Sequence, residues 1–311
     1  MSNKQLIVLG TACQSPTRDR NHNGYYLRWE NKGLLFDPGE GTQRQMIRFE
    51  VSAAKIHHIL ISHFHGDHCL GLPGVIQRLS QDRIPHPVRI YFPASGIQYL
   101  HNLRNASVFD DSVEIIECPI SEPGIAYHDD IFQIECFQLD HNIDSIGFRI
   151  SESDGCTLIP SKLEEYGIQK EQVTTLLRDS EVEVQGKTVK LEEVSNFKAG
   201  QSVAYSLDTK ICSALHPLVK DVDLLLCEAT FLDQDRQKAE DYGHLTATQA
   251  ATLARDNGVK QLALTHISKR YGTTAKTLKE AKAIHPDTVV LKDGDKITLP
   301  TQKRFLSYYC D

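Results

Sequence analysis

The 311-residue chain has no apolar run approaching the ~20 residues that span a bilayer, which excludes a membrane-spanning helix from the expectation. Met1-Ser2-Asn3-Lys4-Gln5 lacks the basic and apolar regions of a secretion signal, so a cytoplasmic protein is expected, with no membrane partner. The eight cysteines (Cys13, Cys69, Cys118, Cys136, Cys156, Cys212, Cys227 and Cys310) form no C-x-x-C pair and no tight cluster. That argues against a disulfide framework and against a cysteine-based zinc site, and for free thiols in a reducing compartment. Basic residues are the minority, 34 Lys+Arg against 41 Asp+Glu, for a net charge of −7 with His neutral. Such a balance argues against a general nucleic-acid coat protein but permits a local basic patch. Short-period repeats and low-complexity segments are also missing. What the chain does have is 40% hydrophobic and 24% charged residues, the profile of a folded globular protein. It also has 14 histidines, an unusual abundance in an acidic chain.

The length admits two domains, or one large domain with an insertion. Short apolar runs bounded by Gly, Asn or Pro predict strands at Leu6–Leu9, Tyr25–Trp29, Leu34–Phe36, Ile56–Ser62, Val88–Phe92, Val113–Cys118 and Phe132–Leu139. Helices are predicted at Gly41–Phe49, Leu72–Leu79 and Ile97–Arg104. The second half repeats the theme, with strands at Val203–Ser206, Leu224–Cys227 and Leu262–Thr265. A helix at Thr246–Asn257 carries a Thr246/Gln249 capping box and is closed by Gly258. Grouped strands with helices between them in both halves point to an α/β sandwich of two mixed sheets with helices outside. Lys162–Val194 stands apart, with five basic and eight acidic residues and a weaker apolar pattern. It reads either as an excursion from the core or as an ordinary surface helix and hairpin.

The densest chemistry is Ser62-His63-Phe64-His65-Gly66-Asp67-His68, directly after an apolar run. Residues two apart in an extended chain point the same way, so His63 and His65 present two imidazoles to one ion. Gly66 lets the chain turn, and Asp67 and His68 face a second position. Imidazole nitrogen with carboxylate oxygen suits zinc, and also iron or manganese. One loop cannot complete two sites. His141, Asp208 and His266 each follow a predicted strand and are the candidate partners, with Asp208 able to bridge. Two such ions 3.5–4 Å apart form the clamp of many phosphodiester-cleaving sites. His244, in a Gly-His loop before the capped helix, is placed to give a proton to a leaving oxygen, and Glu228 to hydrogen-bond it and keep it charged.

His63-x-His65-x-Asp67-His68, followed by His141, Asp208 and His266, resembles the pattern of the metallo-β-lactamase fold. Further segments resemble the ribonuclease Z family within it: Pro16-Thr17-Arg18-Asp19-Arg20-Asn21, Phe36-Asp37-Pro38-Gly39-Glu40-Gly41-Thr42-Gln43, Glu228-Ala229-Thr230-Phe231, and Thr265-His266-Ile267-Ser268-Lys269-Arg270-Tyr271. The likeness runs from about residue 5 to residue 300. It implies one metallo-β-lactamase αββα domain over 1–311, with residues 162–194 as an inserted, exosite-like arm. It implies two zinc ions per chain, with Mn2+ or Fe2+ as alternatives. His63, His65 and His141 would hold one ion, Asp67, His68 and His266 the other, and Asp208 would bridge. By the same resemblance Asp37 fixes ligand geometry from beneath, and Arg18, Arg20, Ser268 and Arg270 touch substrate.

The activity implied is a zinc-dependent endoribonuclease that removes 3′ trailers from precursor tRNA by cutting after the discriminator nucleotide to leave a 3′-hydroxyl. The protein would be a homodimer. The alternative is a metal-dependent phosphodiesterase acting on small phosphodiesters. The chain departs from the family at four places. Gly167-Ile168 is followed by Gln169-Lys170-Glu171-Gln172 with no Gly-Pro, Leu207 replaces a Gly, Cys227 a His and Leu245 a Ser. With two divalent ions counted, the formal charge rises from −7 to −3, which makes a positive cleft compatible with an acidic chain.

Overall fold

The computed structural model describes residues 4–299, so Cys310 and the residues before Lys4 lie outside it. The strands in chain order are β1 (Gln5–Gly10), β2 (Gly24–Trp29), β3 (Lys32–Phe36), β4 (Ile56–Leu60), β5 (Val88–Pro93), β6 (Ile115–Ile120), β7 (Gly124–His128), β8 (Gln133–Leu139) and β9 (Ser145–Ser151). They continue as β10 (Gly155–Leu158), β11 (Glu181–Val184), β12 (Lys187–Lys190), β13 (Ser195–Lys198), β14 (Ser202–Ser206), β15 (Leu224–Glu228), β16 (Gln261–Thr265), β17 (Thr288–Val290) and β18 (Lys296–Thr298). The chain divides into two compact units, one running to Ser151 and resuming at Ser202, the other Glu152–Gln201.

The larger unit is built from two seven-stranded sheets, ordered β18-β1-β2-β3-β4-β5-β6 and β17-β16-β15-β14-β9-β8-β7. Side chains alternate across each strand. Leu6 and Val8 of β1 therefore enter a core shared with Phe148, Ile150 and Leu226 of the second sheet, while Ile7 and Leu9 enter a second cluster with Leu72, Val75, Ile76 and Leu79. Likewise Leu224 and Leu226 of β15 face the inter-sheet core, and Leu225 and Cys227 face Ala247, Ala250, Ala251 and Ala254. Burial on both faces is why these strands read as continuous apolar runs rather than as alternating ones. The outcome is the α/β sandwich that the sequence predicts.

Helix Ala247–Asp256 shows how local chemistry sets a boundary. The Thr246 hydroxyl accepts from the Gln249 amide at 3.2 Å, and the Gln249 side chain accepts from the Thr246 amide at 2.9 Å. Gly258 has φ +67°, and a Cβ there would lie 2.6 Å from Asp221 Oδ1. Strands β7, β9, β17 and β18 escape the sequence pattern. β7 is an exposed edge strand, and β17 and β18 are three residues long. The strand predicted at Val113–Cys118 runs instead over Ile115–Ile120, in parallel register with β5.

The smaller unit folds around its own core of Ile168, Leu176, Val182, Val184, Val189 and Val194. β10 pairs with β13 and β11 with β12, both antiparallel, and helices Pro160–Glu165 and Lys170–Asp179 lie between β10 and β11 in sequence. The longer helix opens on a Gln169/Gln172 capping box. Its apolar signal is weak in sequence because the unit buries few residues, and those lie on short elements.

The inter-sheet core contains one polar ring that matters for stability. His58 of β4 is 1% exposed, and it packs on Tyr91, Tyr127 and Phe132. Burial, reinforced by the positive charges of Lys32 and Arg89, lowers its pKa to about 3, with Asp129 opposing. The folded state thus keeps His58 neutral, whereas the unfolded chain binds a proton below about pH 6.5. Stability from this residue is full above that value and is lost as pH falls towards the folded pKa, at about 1.4 kcal/mol per unit. Urea unfolding at pH 7 and pH 5 tests this: the wild type should lose about 2 kcal/mol more than His58→Phe over that interval.

Candidate active site

The chemistry-bearing residues lie where strands end. Asp37 follows β3, the Ser62-His63-Phe64-His65 loop follows β4, His141 follows β8, Asp208 follows β14, Glu228 ends β15 and His266 follows β16. Asp67 and His68 ride on the short helix Gly66–Cys69. Three of these residues have left-handed backbones, Asp37 at φ 41°, Asp208 at φ 47° and His266 at φ 56°. For a residue with a Cβ this costs about 1–2 kcal/mol and persists only where surrounding contacts over-determine it. The sharp turn swings Asp208 and His266 from the strand end towards a common centre and sets Asp37 behind it.

Ligand atoms of His63, His65, His141 and Asp208 form one group within 4.8 Å of one another, and those of Asp67, His68 and His266 form a second. Asp208 lies between them. Its Oδ2 is 3.5 Å from His63 Nε2 and 3.8 Å from His141 Nε2, while its Oδ1 is 3.5 Å from His68 Nε2 and 3.2 Å from His266 Nε2. Asp67 Oδ2 sits 3.4 Å from both His68 Nε2 and His266 Nε2. His65 differs from the others in turning Nδ1 inward, 3.0 Å from His63 Nε2 and 3.4 Å from His141 Nε2.

Hydrogen bonds behind the rings fix which nitrogen faces the centre. Asp37 is fully buried and accepts from the Ser62 amide and hydroxyl and from the Tyr205 hydroxyl, each at 2.6 Å. It also accepts from His68 Nδ1 at 2.7 Å. Because the Ser62 hydroxyl donates to Asp37, its oxygen accepts from His63 Nδ1 at 2.9 Å. His141 Nδ1 donates to the Gly243 carbonyl at 2.8 Å. The Thr230 hydroxyl donates to Glu228 at 2.6 Å and accepts from His266 Nδ1 at 2.8 Å. In all four rings Nδ1 is engaged behind the site, so Nε2 is the nitrogen that faces the centre. There Nε2 and carboxylate oxygens face one another at 3.2–3.8 Å, and buried Asp208 Oδ1 has no hydrogen-bond partner. Convergent imidazole nitrogens and carboxylate oxygens, each ring steadied from behind, are a donor set that fits divalent metal.

Electrostatics divides the rings. Burial, compounded by neighbouring imidazoles, pushes His63, His65 and His141 below the ordinary histidine range. Burial also works against charge on His68 and His266, but the facing carboxylates, Asp208 foremost, outweigh it and draw both well above that range. Asp67 and Asp208 are opposed by burial and are held far below the carboxylate range by the surrounding histidines.

His244 stands beside this centre, its ring 5.3 Å from those of His141 and His266. Its Nδ1 donates to Glu228 Oε2 at 3.0 Å, and Glu228 is fully buried, accepting also from the Thr209 amide at 2.7 Å. Burial disfavours charge on His244, but Glu228 and Asp208 more than offset this and raise its pKa. His244 also falls within ligand distance of Asp208 and His266. Its hydrogen bond to Glu228 marks it off from the rings held by a hydroxyl, a carbonyl or Asp37.

The remaining candidates separate. Arg270 sets its guanidinium 4.7 Å over the Phe231 ring and donates to the Ser268 hydroxyl at 3.1 Å. Arg18 is exposed. Arg20 turns inward instead, donating to Thr11 Oγ1 at 2.6 Å and to the Leu291 carbonyl at 2.9 Å, so it ties a loop to the body rather than standing free for substrate. Ser62, Thr230, Tyr205 and Gly243 are hydrogen-bond partners of the candidate residues that sequence reasoning missed. So is Gln14, whose amide donates to Asp67 Oδ2 at 2.7 Å, while His22 Nε2 holds the Gln14 carbonyl at 3.3 Å. Adjacency was the available signal for two of them: Ser62 precedes His63, and Thr230 lies two residues after Glu228. The departures Leu207, Cys227 and Leu245 are buried packing residues of the inter-sheet and helix-facing cores.

Models of known families match two stretches, residues 17–135 as the metallo-β-lactamase superfamily and residues 177–267 as a β-lactamase superfamily domain. The chain is 47% identical over 305 residues to ribonuclease Z of Nocardia farcinica, covering 97% of this chain and 100% of that protein. It is 43% identical over 300 residues to ribonuclease Z of Chlamydia pneumoniae, covering 96% and 98%. Among solved structures, the short form of human tRNase Z superposes with a TM-score of 0.70 at 24% identity, covering 95% of this chain and 99% of that one, which is a likeness of fold. With matches of this extent to curated relatives, and with the motifs and the sandwich already described, the chain belongs to the ribonuclease Z family of the metallo-β-lactamase superfamily.

Proposed function

We propose that this chain is a zinc-dependent endoribonuclease that removes 3′ trailers from precursor tRNA, cutting after the discriminator nucleotide to leave a 3′-hydroxyl. The observation that carries this reading is the pairing, in a ribonuclease Z chain, of a double metal-ligand centre with a histidine held charged beside it. His63, His65 and His141 would hold one ion, Asp67, His68 and His266 the other, with Asp208 between. Bound divalent ions supply Lewis acidity to the phosphate oxygens and make water acidic enough to attack at neutral pH.

The protein's own groups do the rest. Asp67, while ligating, would orient or deprotonate the attacking water. His244, charged through Glu228, donates its proton to the leaving 3′-oxygen. Arg270, whose guanidinium lies over Phe231, and Ser268 would bind a phosphate flanking the scissile bond. Arg18 contacts substrate from its exposed loop. The arm 162–194, within the compact unit Glu152–Gln201, serves as the exosite, and the working form is a cytoplasmic homodimer. Among the described residues no helix is long and apolar enough to cross a membrane.

A trailer-bearing precursor tRNA with its cut ends mapped tests the reading. Cleavage after the discriminator nucleotide supports it; an untouched precursor together with turnover of a chromogenic phosphodiester would select the small-molecule alternative. His244→Ala should lower kcat on the precursor by roughly 10²–10⁴-fold with metal content unchanged. Because Glu228 raises the His244 pKa, Glu228→Gln should move the alkaline limb of the pH–rate profile to lower pH; an unshifted limb would remove the assigned link. Asp37→Ala should weaken metal binding by about 10–100-fold in a chelator competition, since it frees Nδ1 of His68 and releases Ser62 from His63.

A further inference from the structure

We propose that Tyr242 is a stacking platform for the nucleobase of the nucleotide that carries the leaving 3′-oxygen. The inference rests on the endoribonuclease reading above and adds a subsite to it. Tyr242 ends helix Arg236–Tyr242, one residue before Gly243 and two before His244. Its side chain is large and aromatic yet 57% exposed.

The backbone beneath it is clamped. Asn142 Nδ2 donates to the Tyr242 carbonyl at 3.1 Å, and His141 Nδ1 donates to the Gly243 carbonyl at 2.8 Å. Gly243 has φ +76°, and a Cβ there would lie 2.8 Å from His141 Nδ1. The two residues after the helix are thereby locked to the loop that supplies a metal-ligand candidate. The ring is fixed as well. It lies parallel to Phe231, 7° between planes and 6.4 Å between centroids, and Phe231 is itself 3% exposed.

Phe231 gathers three groups. Arg270 sits over its ring, His244 lies 6.0 Å away and Tyr242 lies parallel to it. A row of rings thus leads from the buried centre through His244 and Phe231 to an open aromatic face. A proton given by His244 goes to the leaving 3′-oxygen, so the nucleotide nearest this row is the one that keeps that oxygen. An exposed, preoriented phenol there loses little rotamer freedom on stacking. Every base offers a π face, so such a platform tolerates any base at that position while holding the sugar near the acid. Tyr242 is on this account a positioning residue for the acid step as well as a binding one.

The experiment pairs protein variants with a substrate change. Wild type, Tyr242→Ala, Tyr242→Leu and Tyr242→Phe are compared on a trailer-bearing precursor tRNA and on the same RNA made abasic at the nucleotide just 5′ of the cut. On the base-bearing RNA, Tyr242→Ala and Tyr242→Leu should lose roughly tenfold in kcat/KM, with Tyr242→Phe near wild type. On the abasic RNA the penalty should vanish. Metal content and Tm measured alongside report whether each variant is folded. A penalty of equal size on both RNAs, or none on either, overturns the inference. If the wild type leaves the base-bearing precursor uncut, the endoribonuclease reading fails and this subsite falls with it.

Discussion

Asp37 and Glu228 are buried carboxylates, and a buried carboxylate is tolerable only where hydrogen bonds replace the lost water. Asp37 reaches this state with four donors, from Ser62 twice, Tyr205 and His68. Glu228 does so with Thr209, Thr230 and His244. Each carboxylate then passes its polarity outward, Asp37 directly to His68 and through Ser62 to His63, Glu228 directly to His244 and through Thr230 to His266. Two carboxylates behind the centre thereby fix the orientation of four imidazoles in front of it. The twofold arrangement follows the two sheets: Asp37 belongs to the first, Glu228 to the second, and Asp208 stands between the two ligand groups.

The rest of the architecture serves that demand. Parallel strands bring their carboxyl ends to one edge of each sheet, which is where α/β proteins place ligands. Left-handed turns at Asp37, Asp208 and His266 store local strain there. The strain is held by Tyr205 on Asp37 and by Thr230, whose hydroxyl oxygen accepts from Nδ1 of His266. Around this polar edge the sandwich is apolar on three surfaces, which lets the site be rigid without a large polar interior.

Much of this was legible in the sequence, and the reason is spacing. His63, His65, Asp67 and His68 lie within six residues, and the partners sit at ends of apolar runs that are easy to find because both faces of those strands are buried. The alpha-beta sandwich and the capped helix at Thr246 were readable for the same reason: periodicity and capping are local. What was not readable depends on contacts distant in sequence. Tyr205 meets Asp37 across 168 residues, and His141 meets Gly243 across 102. The resemblance has Arg20 touching substrate, and only the approach of Leu291 and Thr11 shows that its guanidinium is engaged with the body. The edge strands β7, β17 and β18 are too short or too exposed to leave a pattern.

Gly243 brings three neighbours together at one residue. Its carbonyl sets the tautomer of His141, its amide follows Tyr242, and its own carbonyl carbon is bonded to His244. With φ +76° and a prospective Cβ 2.8 Å from His141 Nδ1, a side chain at this position would strain the backbone leading to His244 and push His141 aside. Under the roles proposed for His141, His244 and Tyr242, metal affinity, proton donation and substrate placement would therefore be tied together here. A lineage that retuned one of them through this loop would disturb the other two in the same step.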